Sequence, residues 1–191
     1  MSTYLILYMS VSFSVWIIAP IRQIGQKYFT FFLILISGDI IAILCRFAFH
    51  TRTNVLYIIA NLLCLISIQE RKRSYFFISL IIILSILTFI VEYFGFGYKQ
   101  EFILISFTDF LLFYKFFQQS LLKYTEEKAL SLFLGCLSIY ELISVTKILG
   151  FITGAAGAAT YFEIATTIQV LFGAFFCIYR ESDPRLIIKV K

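Results

Sequence analysis

Seven long apolar runs, separated by short polar stretches, constrain this chain more than any other feature of it. They cover residues 4–20, 27–49, 54–68, 75–97, 102–119, 129–150 and 159–179. A helix needs about 20 residues at 1.5 Å rise to cross about 30 Å of hydrocarbon, and these runs are of that order. Buried β-strands end after about 4–8 residues, so strands are excluded. The apolar residues follow no amphipathic period, as expected where lipid or other apolar helices lie on every side. Composition agrees: 61% of residues are apolar, 14% are charged and the mean hydropathy is +0.93, whereas soluble domains hold about 45–50% apolar and about 25% charged residues. The expected fold is therefore all-α, a polytopic bundle of seven transmembrane helices over residues 1–182. Residues 183–191 are expected as a cytoplasmic tail.

The basic residues set an orientation. Arg22, Lys27, Arg71, Lys72, Arg73, Lys123 and Lys128 fall in alternate loops, and Arg180, Arg185, Lys189 and Lys191 in the tail belong to the same side. The opposite side holds only Arg52 and Lys99. Positive charge stays cytoplasmic, so the N-terminus is expected outside and the C-terminus inside, in a bacterial inner membrane. No Lys or Arg precedes Arg22, so the first run lacks the basic start of a signal peptide and is expected as a retained helix. Tyr4, Trp16, Tyr98 and Tyr124 are placed as interfacial anchors. The net charge of +5 comes from these short loops rather than from a basic face, and no nucleic-acid partner is expected. Cys45, Cys64, Cys136 and Cys177 all lie in apolar runs without a CxxC pair. Neither a metal nor another cofactor is expected.

The chemistry lies in the charges inside the runs: Asp39, Arg46, Glu92, Asp109, Lys115, Glu141, Lys147 and Glu163. A charge at the bilayer centre costs at least about 2.5–3.5 kcal/mol, so each needs a partner, a proton or water. Five acids face three bases, which leaves at least two carboxyls without a basic partner. Asp39, Asp109 and Glu141 sit near mid-depth. Lys115 lies toward the cytoplasmic end, where it can snorkel. Arg46 or Lys147 is expected to pair with an acid on another helix. Hydroxyls stand a turn from several acids: Ser138 and Ser144 beside Glu141, Ser106 beside Asp109, Thr166 and Thr167 beside Glu163. The candidate site is a buried polar seam of Asp39, Arg46, Asn61, Asp109, Glu141, Lys147, Glu163 and Gln169, with no residue assigned a catalytic role. Such a seam either glues helices together or binds a ligand or ion. The excess of acids argues for binding, and the lack of a known motif argues for glue.

Helices two and three (Asp39, Arg46, Asn61) also echo helices six and seven (Glu141, Lys147, Gln169), a 3+1+3 layout of the kind found in transporters. That layout resembles the PQ-loop sugar transporters, but Pro20 is followed by Ile21, so their Pro-Gln signature is absent. Microbial rhodopsins share seven helices and an external N-terminus, yet the last run has no lysine for retinal. The strings ILISGDIIAIL (34–44) and ILISFTDFLLF (103–113) resemble the two aspartate helices of lysoplasmalogenase-like membrane hydrolases. That resemblance implies Asp39 and Asp109 as a general acid and base pair. It also implies eight helices, and a histidine in the following helix where this chain has none.

The expected function is non-enzymatic: a receptor-like protein or an accessory subunit of a membrane complex. Its expected partners are membrane lipid and a membrane or cytoplasmic protein met through the short loops and the tail. A small-solute or proton-coupled transporter is the first alternative, and the two-aspartate hydrolase is the second. In the tail, Asp183-Pro184 should end the last helix. The alternation Ile188, Lys189, Val190, Lys191 suits an extended strand. The tail is expected to lie on anionic headgroups, with addition to the edge of a partner's sheet as the other reading.

Overall fold

The computed structural model describes residues 3–49, 53–69, 74–94, 97–154 and 157–189. His50, Arg52, Arg71, Lys72, Arg73, Val190, Lys191 and the side chain of Glu92 lie outside the described residues. Seven α-helices account for most of the described chain: α1 (Thr3–Arg22), α2 (Phe29–Phe49), α3 (Asn54–Ser67), α4 (Ser74–Tyr93), α5 (Tyr98–Glu127), α6 (Leu132–Thr153) and α7 (Ala158–Ile178). Three helical stretches are long and apolar enough to cross a membrane, Phe29–Ala48, Leu132–Thr153 and Thr160–Ile178. These mark a membrane protein. Each of the seven expected runs contains a helix, but by length and apolarity the described residues meet the criterion for three spans. The stretch Asn54–Ser67 has 14 residues, about 21 Å at 1.5 Å per residue.

The chain departs from the expected layout around residue 128. The polar stretch SLLKYTEEK (120–128) separates two of the expected runs, yet α5 continues through it to Glu127. Leucine, lysine and glutamate are all good helix formers, so a drop in hydropathy there does not break the helix. Lys128 stops it by adopting a left-handed backbone with φ +51°. The next three residues, Ala129–Ser131, form a strand, β1, instead of opening α6. Its partner is β2 (Ile187–Lys189), antiparallel, with Leu130 opposite Ile188. The period-two pattern at the C-terminus thus marks a real strand, but it pairs within its own chain rather than with a partner's sheet. Asp183 caps the helical turn Pro184–Leu186, accepting from the Arg185 N–H at 3.0 Å. Leu186 is buried in the main core, so the tail is docked by an apolar anchor as well as by the strand.

Six helices close a ring. α1 packs on α2, α2 on α3, α3 on α5, α5 on α6, α6 on α7, and α7 back on α1, while α4 stands outside against α3 and α5. Two glycines permit close approaches in this ring. A Cβ on Gly38 would lie 2.8 Å from Ala60 Cβ, and one on Gly173 would lie 2.7 Å from Val15 Cγ1. Gly154 and Gly157, with φ +63° and +87°, supply the left-handed conformations for the turn between α6 and α7.

The two ends of the ring differ. At the lower end, where α1, α3, α5 and α7 finish, Tyr28, Phe31, Phe32, Phe116, Phe133 and Phe176 are each at most 2% exposed. Their rings meet at 5.0–6.3 Å, mostly edge to face, the geometry aromatic quadrupoles favour. Just beyond this layer, buried Gln23 donates from Nε2 to the carbonyls of Phe176 (3.0 Å) and Tyr179 (2.7 Å) and accepts from the Glu181 N–H (3.2 Å). One side chain thereby joins the end of α1 to the end of α7. Glu181 in turn accepts from the Lys27 N–H at 3.0 Å. Burial pushes its carboxyl above the usual 4.5, while Lys27, the backbone N–H groups of Lys27 and Tyr28, and Lys123 pull it back.

Replacing Gln23 by Ala orphans two carbonyls and an amide, at about 1–3 kcal/mol for each buried group left unsatisfied. The Gln23→Ala protein should lose at least about 2 kcal/mol of stability in detergent thermal unfolding. Gln26→Ala, three residues along, should shift the midpoint little. Equal midpoints for the two variants would contradict this role.

Candidate functional site

A cavity of about 360 Å³ sits inside the ring, and all six ring helices contribute to its wall. Trp16 comes from α1, Asp39 from α2, Asn54, Tyr57 and Asn61 from α3, Asp109 from α5, Glu141, Ser144 and Lys147 from α6, and Phe162, Thr166 and Gln169 from α7. The mid-depth residues Asp39, Asn61, Asp109 and Glu141 are at its base. Asn54 and Phe102 at the starts of α3 and α5, Ile148 near the end of α6, and Phe162 near the start of α7 carry it toward the upper end. The aromatic layer fills the space below. Trp16 joins the two regions, its ring 5.0 Å from Tyr140 and 6.3 Å from Phe176. It is buried rather than interfacial.

The polar groups of the wall fall into two bonded sets. In the first, Asn61 Nδ2 donates to the Asp109 carboxylate and to Thr108 Oγ1 (3.1 Å), tying α3 to α5. Thr108 donates its own hydroxyl to the Ile105 carbonyl at 2.8 Å. In the second, Lys147 Nζ donates to Gln169 Oε1 at 2.6 Å, and Gln169 Nε2 donates to Ser144 Oγ at 2.7 Å, tying α6 to α7. The Lys147 ammonium also stands 5.0 Å from the centre of the Phe162 ring. Its direct bond is thus to an amide, not to the acid that sequence reading expected, because the i, i+4, i+7 stripe of α7 that meets it carries Phe162, Thr166 and Gln169.

Glu141 stands apart from both sets. It is 2% exposed, lines the cavity, and its Oε1 has no hydrogen-bond partner among the described residues. Asp39 is half-buried and also lines the cavity. Three carboxyls thus share a small space with one ammonium that is already bonded.

Of the eight seam residues, Asp39, Asn61, Asp109, Glu141, Lys147 and Gln169 meet on this wall. Arg46 and Glu163 do not. Arg46 is exposed in the last turn of α2, above the cavity. Glu163 is exposed too, because it sits about 100° around α7 from Phe162 on an ideal helix. Ser144 and Thr166 reach the wall, while Ser138 spends its hydroxyl on the Leu134 carbonyl at 2.9 Å. Lys115 is buried beside Gln118 Oε1 at 3.4 Å rather than extended to the surface. Sequence reading missed Glu101, taken as a loop residue. It is 1% exposed and accepts from Asn54 Nδ2 at 2.6 Å, bracing α3 against α5 near the upper end. Glu101 lies in the first turn of α5, where a carboxylate is favoured, and that position was the available signal.

Comparison with family models, with curated proteins and with solved structures finds no match for this chain. No group of three or more potential metal ligands occurs among the described residues.

Asn61→Leu should destabilise the protein by about 1–3 kcal/mol, because Asp109 is left buried without its donor. That exceeds the average of about 0.6 kcal/mol for polar contacts between membrane helices. The exposed control Leu63→Ala should be near neutral in the same heat-inactivation assay. An Asn61→Leu protein as stable as the parent would remove Asn61 from the account of the site.

Proposed function

We propose that this is a non-enzymatic, receptor-like membrane protein that binds a small polar ligand in the ring cavity from the outer side. The observation that carries this reading is the union of a polar cavity at one end of the ring and a packed aromatic layer at the other. A cavity of about 360 Å³ falls in the range of small-molecule sites, about 300–1,000 Å³. With all seven helices spanning a bacterial inner membrane and the basic loops inside, the cavity faces outward and the aromatic layer faces the cytoplasm. The same layer argues against a solute path through the ring, and so against a transporter.

The cytoplasmic end also supports an accessory role. β1 and β2 place exposed Leu130 and Ile188 side by side, an apolar step among basic residues where a protein partner can dock. A two-aspartate hydrolase is the second reading, favoured by one observation: Asp39 and Asp109 line the same cavity. General acid and base work needs that proximity.

Purification into native-lipid discs, with mass spectrometry of the bound small molecules, tests the receptor reading. Ser144→Phe, which fills the cavity, should remove a small molecule that accompanies the parent protein. Identical small-molecule profiles from the two proteins would refute the binding role. Turnover of a lysophospholipid by the parent, lost in both folded Asp39→Asn and folded Asp109→Asn, would establish the hydrolase instead.

A further inference from the structure

We propose that the cavity's ligand is a small organic ammonium ion bearing N–H donors, seated at the carboxyls with an apolar or aromatic body toward the upper end. The proposal rests on the binding role argued above and names the class of ligand.

Charge selects the sign. Among the described residues, Asp39, Asp109 and Glu141 share the wall with one cation, Lys147, which is committed to Gln169 Oε1 and the Phe162 ring. An anion entering this space meets three carboxyls and, among the described residues of the wall, no uncommitted cation. A carboxyl in an apolar interior requires a proton, a donor or a cation, since its charge is otherwise too costly there.

Hydrogen bonding selects the kind of cation. Glu141 lines the cavity, and its enclosed Oε1 has no donor among the described residues, while Asp109 already has Asn61. A primary ammonium carries three donors and can serve Glu141 while facing the other acids. A quaternary ammonium has no N–H and leaves Oε1 unanswered.

The upper wall selects the rest of the molecule. Tyr57, Phe102, Tyr140 and Phe162 line the cavity above and beside the acids, and aromatic faces attract both cations and flat apolar bodies. The protein already holds one such group in this way. Its own Lys147 ammonium bonds an amide oxygen and stands over Phe162.

The test uses the full chain in phosphatidylcholine discs, with isothermal titration of phenethylammonium, benzyltrimethylammonium, 2-phenylethanol and phenylacetate. Phenethylammonium should bind at least tenfold more tightly than each of the other three. Glu141→Gln should weaken it at least tenfold, and Asp39→Asn, a less buried change, should weaken it in the same direction. Tighter binding of phenylacetate or phenylethanol, abolished by Ser144→Phe, would overturn the ammonium proposal and leave the cavity's binding role standing. Absence of phenethylammonium binding to the folded protein also overturns the proposal, and the small-molecule profile of the purified protein then decides the binding role separately.

Discussion

A carboxyl group on a helix inside an apolar bundle cannot be left to itself, and the arrangement of this protein follows from how three such groups are answered. Asp109 is met by Asn61 across α3 and α5. Asp39 opens onto the cavity. Glu141 is enclosed with one oxygen unpaired. All three acids line one cavity, so the cost of burial is concentrated at one point of the ring. A bound donor is the component that would complete it.

The ring is built to hold that point in place. Gly38 and Gly173 let α2 approach α3 and α7 approach α1 more closely than any other residue would permit. Below the acids, aromatic side chains from α2, α5, α6, α7 and the turn before α2 interlock without room for a solute. Lower still, Gln23 and the β1–β2 pair fasten the ends of α1 and α7 and the start of α6. Closure at the lower end and polarity toward the upper end are thus two aspects of one packing arrangement. They give the cavity a direction.

The helices were legible because apolar runs of this length have one physical outcome. Six of the seam residues were legible because a polar group deep in such a run is expensive and must face the interior. Direction around a helix was not legible. Each run is apolar on every face, so nothing in the pattern told that Glu163 points away while Phe162, Thr166 and Gln169 point in. Arg46 was assigned because it is a charge inside an apolar run, but seven residues of rise from Asp39 carry it beyond the cavity. The C-terminal strand was legible in its alternation. Its partner was not, because β1 is only three residues long and was hidden within a run that continues into α6.

The one-sided cavity is the central claim, and thiol accessibility tests it most directly. With the four native cysteines replaced, a single cysteine at Ser144 on the wall and another at Phe133 in the aromatic layer would be challenged with a membrane-impermeant maleimide. Intact cells expose the outer side, and inside-out vesicles expose the cytoplasmic side. The account predicts labelling at position 144 from the outer side alone and none at position 133 from either side. Labelling of position 144 from the cytoplasmic side would contradict it.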